Sequence, residues 1–387
     1  MPRKAGLSLI IAALLLGGCS QANVPAPPPL PKADESQATL LSAPAPTRWV
    51  WSALEFADEQ NGWAALATPG PDGTSALYRT QDGGNRWTRT GAPAFLIEAV
   101  RFTDERQGVA MGASFSCRAK GRECAILLAT TDDGGATWET RYRHPLAEGL
   151  SSNSPTVAVD RAGTGYALYA GSNASLLLTT ADGGMTWARA GAPASGWEFQ
   201  SATFLDGTRG WTHARNCAVQ GGQERCRYAV FATSSGGKSW QRQFELPEGR
   251  RIRAGSITFV DAQHGWVSPT ARVAECTNTA CAGPVYRTAD GGRTWVPAES
   301  PGLPLQVSFT DPARGWMLLS SAIGTTTDGG ATWERHLPAG LRELQLLSAP
   351  TALAAWAVGS GPDQPGALVR TTDGGKTWTL VSAPPVE

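Results

Sequence analysis

Charge is scarce in this chain and balanced where it occurs. Only 17% of the 387 residues are Asp, Glu, Lys or Arg, and 33 basic residues face 33 acidic ones. A formal net charge of zero gives no electrostatic footprint for nucleic acid, so no nucleic-acid partner is expected. Methionine is rare, with 4 residues. The 4 histidines, His144, His213, His264 and His336, are scattered and read as surface or loop residues. With no histidine beside a cysteine pair, neither a metal site nor a cofactor is expected. Gly, Pro and Trp are plentiful instead, at 45, 27 and 15. That profile suits short strands joined by tight turns, with large flat side chains between sheets.

The N-terminus reads as an address. Arg3 and Lys4 precede an apolar run from Leu7 to Leu16, which is too short to cross a bilayer as a mature helix. Leu16-Gly17-Gly18-Cys19 follows and resembles the lipobox of bacterial lipoproteins. That resemblance implies a signal peptide at 1–18, cleavage before Cys19, lipid on its thiol, and an extracytoplasmic protein anchored to a bacterial membrane. Residues 19–47 carry Pro25, Pro27, Pro28, Pro29, Pro31, Pro44 and Pro46 among Ala, Ser and charged residues. Such a segment cannot bury enough apolar surface to fold and stays extended, reaching on the order of 80 Å as a tether. The folded body is expected over 48–387.

Once Cys19 is set aside, six cysteines remain in three close pairs: Cys117 with Cys124, Cys217 with Cys226, and Cys276 with Cys281. Their spacings do not match a zinc knuckle. In an oxidising compartment, three local disulfides bracing loops are expected, the pairing being inferred from proximity.

An eight-residue motif organises the rest. Thr80–Trp87 (TQDGGNRW) returns at Thr131–Trp138, Thr180–Trp187, Thr233–Trp240, Thr288–Trp295, Thr326–Trp333 and Thr371–Trp378. Asp82, Asp133, Asp182, Asp290, Asp328 and Asp373 occupy its third position, with Ser235 in the fourth copy. An Asp heading a turn accepts backbone N–H bonds, and the Gly pair tolerates positive φ. The box residues therefore read as structural turn staples, and isolated single carboxylates make a poor calcium cage. A second half-motif precedes most boxes, as in Phe56-Ala57-Asp58…Gly62-Trp63 and Phe309-Thr310-Asp311…Gly315-Trp316. It is degenerate in the third and seventh copies, and the second copy has Gly108-Val109. Seven units of four short strands predict an all-β, seven-bladed β-propeller with antiparallel blades. The cysteine pairs fall between second and third strands, so they are expected on the face opposite the boxes, where braced, variable loops are the better candidates for function.

The paired half-motifs, with Arg79, Arg287 and Arg370 before the box Thr, resemble the photosystem II stability and assembly factors of the Asp-box, or bacterial neuraminidase repeat, group. The resemblance covers residues 48 to 382. It implies a seven-bladed propeller related to assembly factors. The favoured reading is a non-catalytic scaffold or assembly factor, expected to be a monomer, that binds another envelope or membrane protein. Arg106, Arg209 and Arg314, in equivalent loops, read as solvated loop residues. The rival reading is an Asp-box glycoside hydrolase, sialidase-like or glucanase-like. Arg251-Ile252-Arg253 lacks the proline of the sialidase arginine motif, and Tyr78 and Tyr286 read as packing residues. Glu98, Glu198 and Glu343 on innermost strands are the carboxylates such an enzyme would draw on.

Overall fold

The computed structural model describes residues 49–385, apart from 69–72, 119–123, 147–154, 172–174, 248–251, 272–283, 339–340 and 362–365. The leader, Cys19, the tether and the Cys276/Cys281 pair lie outside the described residues. Seven four-stranded antiparallel sheets form, each from four consecutive strands, and the result is a seven-bladed β-propeller. Blade 1 comprises Val50–Phe56, Gly62–Ala67, Ser75–Thr80 and Thr88–Arg89. Blade 2 comprises Leu96–Phe102, Gly108–Ala113, Cys124–Thr131 and Glu139–Leu146, and blade 3 comprises Thr156–Val159, Gly165–Ala170, Ser175–Thr180 and Ala188–Arg189. Blades 4 to 7 run over Glu198–Glu245, Ile252–Ala298, Pro304–His336 and Glu343–Val381.

The first strand of blade 1 packs against the first strands of blades 2 and 7, so first strands ring the axis. Second strands such as Gly62–Ala67 are buried at every position, because neighbouring blades cover both faces, whereas the short outermost strands Thr88–Arg89 and Ala188–Arg189 are exposed. This explains why second strands are apolar throughout and do not alternate.

One interface recurs around the ring, and it accounts for three motif residues together. A Cβ on Gly62, Gly108, Gly210, Gly265 or Gly315 would sit 2.4–2.6 Å from the Phe ring of its own blade. Only glycine lets that ring lie flat on the second strand. The other side of the ring takes the Trp of the preceding blade: Trp63 on Phe102 at 3.7 Å, Trp211 on Phe259 at 3.7 Å and Trp266 on Phe309 at 3.5 Å, all within 7° of parallel. The indole then donates its Nε1–H to the first glycine carbonyl of the next blade's box, from Trp63 to Gly134, Trp211 to Gly291 and Trp266 to Gly329. A buried indole needs such an acceptor. The box is therefore part of the blade–blade contact as well as a turn.

Within the box, Asp133 Oδ1 accepts the Thr131 hydroxyl and the Thr137 N–H, while Oδ2 accepts the Thr137 hydroxyl. The Thr137 hydroxyl, aided by its N–H, holds the Asp133 carboxyl down at about 2. Gly134 and Gly135 have φ of 78° and 96°, which a side chain would strain. Ser235 does the same work in the fourth copy, its hydroxyl accepting the Ser239 N–H at 3.0 Å. In every blade the first box glycine also donates its N–H to the turn between the first two strands, as Gly83 does to Gln60 and Gly374 to Leu353. Both turns are thus pinned on one face. The aspartates of the Phe-x-Asp half-motif cap their own turns, with Asp58 and Asp104 each accepting two backbone N–H groups.

Because each blade is one contiguous stretch, the terminal blades share no strand. The ring closes through the same interface used elsewhere. Trp356 stacks on Phe56 at 3.8 Å and donates to the Gly83 carbonyl at 2.9 Å. Ser348 Oγ accepts the Phe56 N–H, and Trp87 donates to the Ser382 carbonyl.

Candidate functional site

The repeating interface varies at three junctions. Tyr166 meets Phe204 between blades 3 and 4, and Trp316 donates to the Thr351 carbonyl between blades 6 and 7. Between blades 2 and 3 both rings are missing, and a cleft opens. Blade 2 carries Val109 where five blades carry Trp and blade 3 carries Tyr166, and blade 3 carries Val159 where five blades carry Phe. The position opposite matters too. Trp63 pairs across the sheet with Arg79 and Trp356 with Arg370, and each guanidinium lies over its indole at 5.4 and 5.1 Å. In blade 2 the corresponding pair is Val109 with Thr130. Two large side chains have become two small ones, and the partner Phe has become Val. A cavity of about 310 Å³ occupies the junction, near the lower end of the range for ligand pockets.

Buried Val109 and Val159 form its apolar floor, beside half-buried Trp138. One wall comes from the outermost strand of blade 2. Arg141 donates Nε–H to the hydroxyl of Thr130, the residue at the register position of Arg79 in blade 1, at 3.0 Å and pairs with Glu139. The opposite wall is the blade 3 box, Asp182-Gly183, with Met185 47% exposed at the rim. Asp182 is held below the usual carboxylate range by the Thr186 hydroxyl and N–H. Arg161 spans the junction, donating to the Thr103 carbonyl of blade 2. Asp132 and Asp160 complete an acidic rim.

This cleft lies on the side that carries the box turns, whereas the cysteine spacing directs attention to the other face. On that face, Cys117 and Cys124 are joined between the second and third strands of blade 2. Cys217 and Cys226 are also joined, but they do not brace a loop. Gly210–Gln220 and Gln223–Thr233 stay in unbroken antiparallel register through the Cys217–Cys226 pair to a Gly221-Gly222 tip, so the bond staples a long hairpin. Residues that prolong a ladder cannot be told from a loop by cysteine spacing alone.

The remaining candidates do not gather into one constellation. Glu198 accepts two bonds from Arg215 of the adjacent strand, at 2.9 and 3.1 Å. Glu98 and Glu343 lie on the first strands of blades 2 and 7. Tyr78 and Tyr286 are buried packing residues. Arg106 donates to the Asp132 carbonyl, and Arg209 and Arg314 pair with Asp206 and Asp311 of their own turns. His264 contacts Asp261 and His336 contacts the Thr325 hydroxyl. His213 is the exception to the surface reading: it is completely buried on the second strand of blade 4, beside Tyr228. Its strand is covered on both faces, which scattered spacing did not reveal. Among the described residues, the only grouping of His, Cys, Asp or Glu with metal-binding spacing is Cys217, Glu224 and Cys226, and its sulfurs are tied in a disulfide.

Residues 296–385 match the family described as photosynthesis system II assembly factor YCF48. Over 88 residues the chain is 40% identical to the photosystem II assembly lipoprotein Ycf48 of Synechococcus sp. (strain CC9902), covering 22% of this chain and 25% of that one. A solved structure of YCF48 bound to a D1 peptide superposes with a TM-score of 0.54 at 18% identity, covering 84% of this chain and 94% of that chain. Over its last two blades the chain is similar to the photosystem II assembly factors, and its fold is like theirs. The chain spans about a quarter of the length of the curated Synechococcus relative it matches. The fold alone does not fix an activity, since an ulvan lyase superposes comparably, with a TM-score of 0.53 at 12% identity over 88% of this chain and all of that one. The matched segment covers blades 6 and 7, including the box at Asp328 and the closure residue Trp356.

Proposed function

We propose that the protein is a lipid-anchored, extracytoplasmic propeller that binds a segment of a membrane protein and acts as an assembly scaffold without catalysis. The observation that carries this reading is the 40% identity to an assembly lipoprotein within the same repeat framework. The peptide complex of the structural neighbour supports it as an analogy. The lipobox-like Leu16-Gly17-Gly18-Cys19 and the proline-rich stretch to residue 47 supply an anchor and a spacer that hold the disc near a membrane. Recognition is local, because net charge is zero and binding depends on shaped contacts. No second reading is favoured by a particular observation, since the first-strand carboxylates Glu55 and Glu198 are committed to Arg101 and Arg215.

Fractionation and copurification from native membranes test both halves of the proposal. The wild-type chain is expected in the membrane fraction with a membrane protein in stoichiometric amount, and Cys19→Ala is expected in the soluble fraction. Retention of Cys19→Ala with lipid removes the anchor. Turnover of sialosides or β-glucans by a chain that holds no partner overturns the scaffold.

A further inference from the structure

The cleft between blades 2 and 3 is a negative image of a side chain the repeat uses elsewhere. At four junctions an indole stacks in this place and donates to the first box glycine of the following blade. At the second junction the corresponding carbonyl belongs to Gly183, which lines the cleft and, like those of Gly236 and Gly374, accepts no indole of the described residues. Here alone Val109 and Val159 leave neither ring position filled by an aromatic side chain. We infer that this cleft is a docking slot for a tryptophan side chain presented by a partner polypeptide. The inference deepens the reading of the protein as a protein-binding propeller and rests on it.

Three features of the slot match one side chain. The floor of Val109 and Val159 suits an apolar ring. The Gly183 carbonyl suits the indole N–H, as Gly134, Gly291, Gly329 and Gly83 do at their own junctions. Arg141, fixed by Thr130 and Glu139, offers a guanidinium face like those of Arg79 and Arg370 over Trp63 and Trp356. A phenylalanine would satisfy the floor and the cation but leave the carbonyl without a donor. An acidic side chain would meet Asp132, Asp160 and Asp182 at the rim.

The occupant comes from another chain. Residues 1–48 contain no Trp, Tyr or Phe, and neither do the segments 119–123, 147–154 and 272–283. The protein's own tether therefore cannot supply the ring. Met185 at the rim adds an adaptable apolar contact beside the entrance.

Methyl NMR of the full chain labelled at valine and methionine, titrated with N-acetyl-tryptophanamide, tests the slot. Ring-current shifts are expected at Val109, Val159 and Met185, with N-acetyl-leucinamide and N-acetyl-argininamide giving none. Val109→Trp restores the missing indole, and its affinity for the probe should fall at least about tenfold, corresponding to about 1.4 kcal/mol. Should that variant fail to fold, the wild-type methyl shifts decide alone. Shifts elsewhere but not at these methyls, equal shifts with the leucine probe, or a stronger response to the arginine probe overturn the inference. The broader reading fails separately, if the slot takes the probe yet the full chain retains no membrane protein. Conversely, undiminished partner retention by folded Val109→Trp rejects the slot and leaves the scaffold standing.

Discussion

Trp356→Ala lowers the unfolding free energy by about 3–5 kcal/mol, the range for truncating a fully buried aromatic. For a body of this size that is a drop in thermal midpoint of about 4–7 °C. The side chain is 0% exposed and makes three contacts that fail together. It stacks on Phe56, donates to the Gly83 carbonyl and lies under Arg370. Losing the donor also leaves Phe56 facing a cavity across the junction that joins the first and last blades. No shared strand backs up that junction, so ring closure depends on side chains and a few hydrogen bonds. Trp63→Ala removes the same set of contacts between two blades that are also linked by the chain. The difference between the two variants in a denaturant or thermal scan therefore measures what closure requires beyond packing. Equal midpoints for wild type and Trp356→Ala would mean that something other than this interface holds the ring shut.

Acid weakens the fold well before the box aspartates titrate. His213 is completely buried and neither ring nitrogen has a protein partner, so burial drives its pKa from 6.5 down to about 4. The imidazole is neutral in the fold and takes up a proton on unfolding anywhere between these values. The unfolded state then binds more protons, and stability falls as pH falls through this window. At 1.36 kcal/mol per unit the total is about 3 kcal/mol. Glu55, whose carboxyl is pushed up by burial against the opposing pull of Arg101, works in the other direction. The clean comparison is therefore wild type against His213→Phe. The variant is expected to lose most of the decline between pH 6.5 and 4, and to match or exceed wild type at pH 7 because two unpartnered polar atoms have gone. Asp133, Asp290 and Asp373, held near 2 by their box threonines, lose their stabilising contribution only below about 3.8, in both proteins. A decline of unchanged size in His213→Phe would place the acid sensitivity elsewhere.

Much of this architecture is legible in the residues. The seven boxes and five Phe-x-Asp…Gly pairs give the blade count, the strand order and nearly every strand end, because turn chemistry is local and Asp, Gly and Trp announce it. What local chemistry cannot show is the partner across a junction. That Phe102 lies between Gly108 of its own blade and Trp63 of the previous one depends on contacts between separate blades. The cleft is the sharpest instance. Val109 and the missing Phe of the third copy are visible as departures from the repeat, and each alone reads as degeneracy. They become a site only because the fold sets Val109 against Val159, 50 residues along the chain, with Thr130 beside them. Missing volume has no residue to mark it. The burial of His213 is equally invisible in its spacing, since a second strand covered on both faces buries a polar residue as well as an apolar one.

Hydrogen exchange on the full chain in native membranes, with and without its copurifying partner, tests most directly whether function sits in that gap. Protection on partner binding should concentrate at Thr103–Gly108, Asp160–Gly163 and Asp182–Met185, the segments lining the junction of blades 2 and 3. Protection confined to the hairpin stapled by Cys217 and Cys226, on the opposite face, with the cleft unchanged, would contradict it.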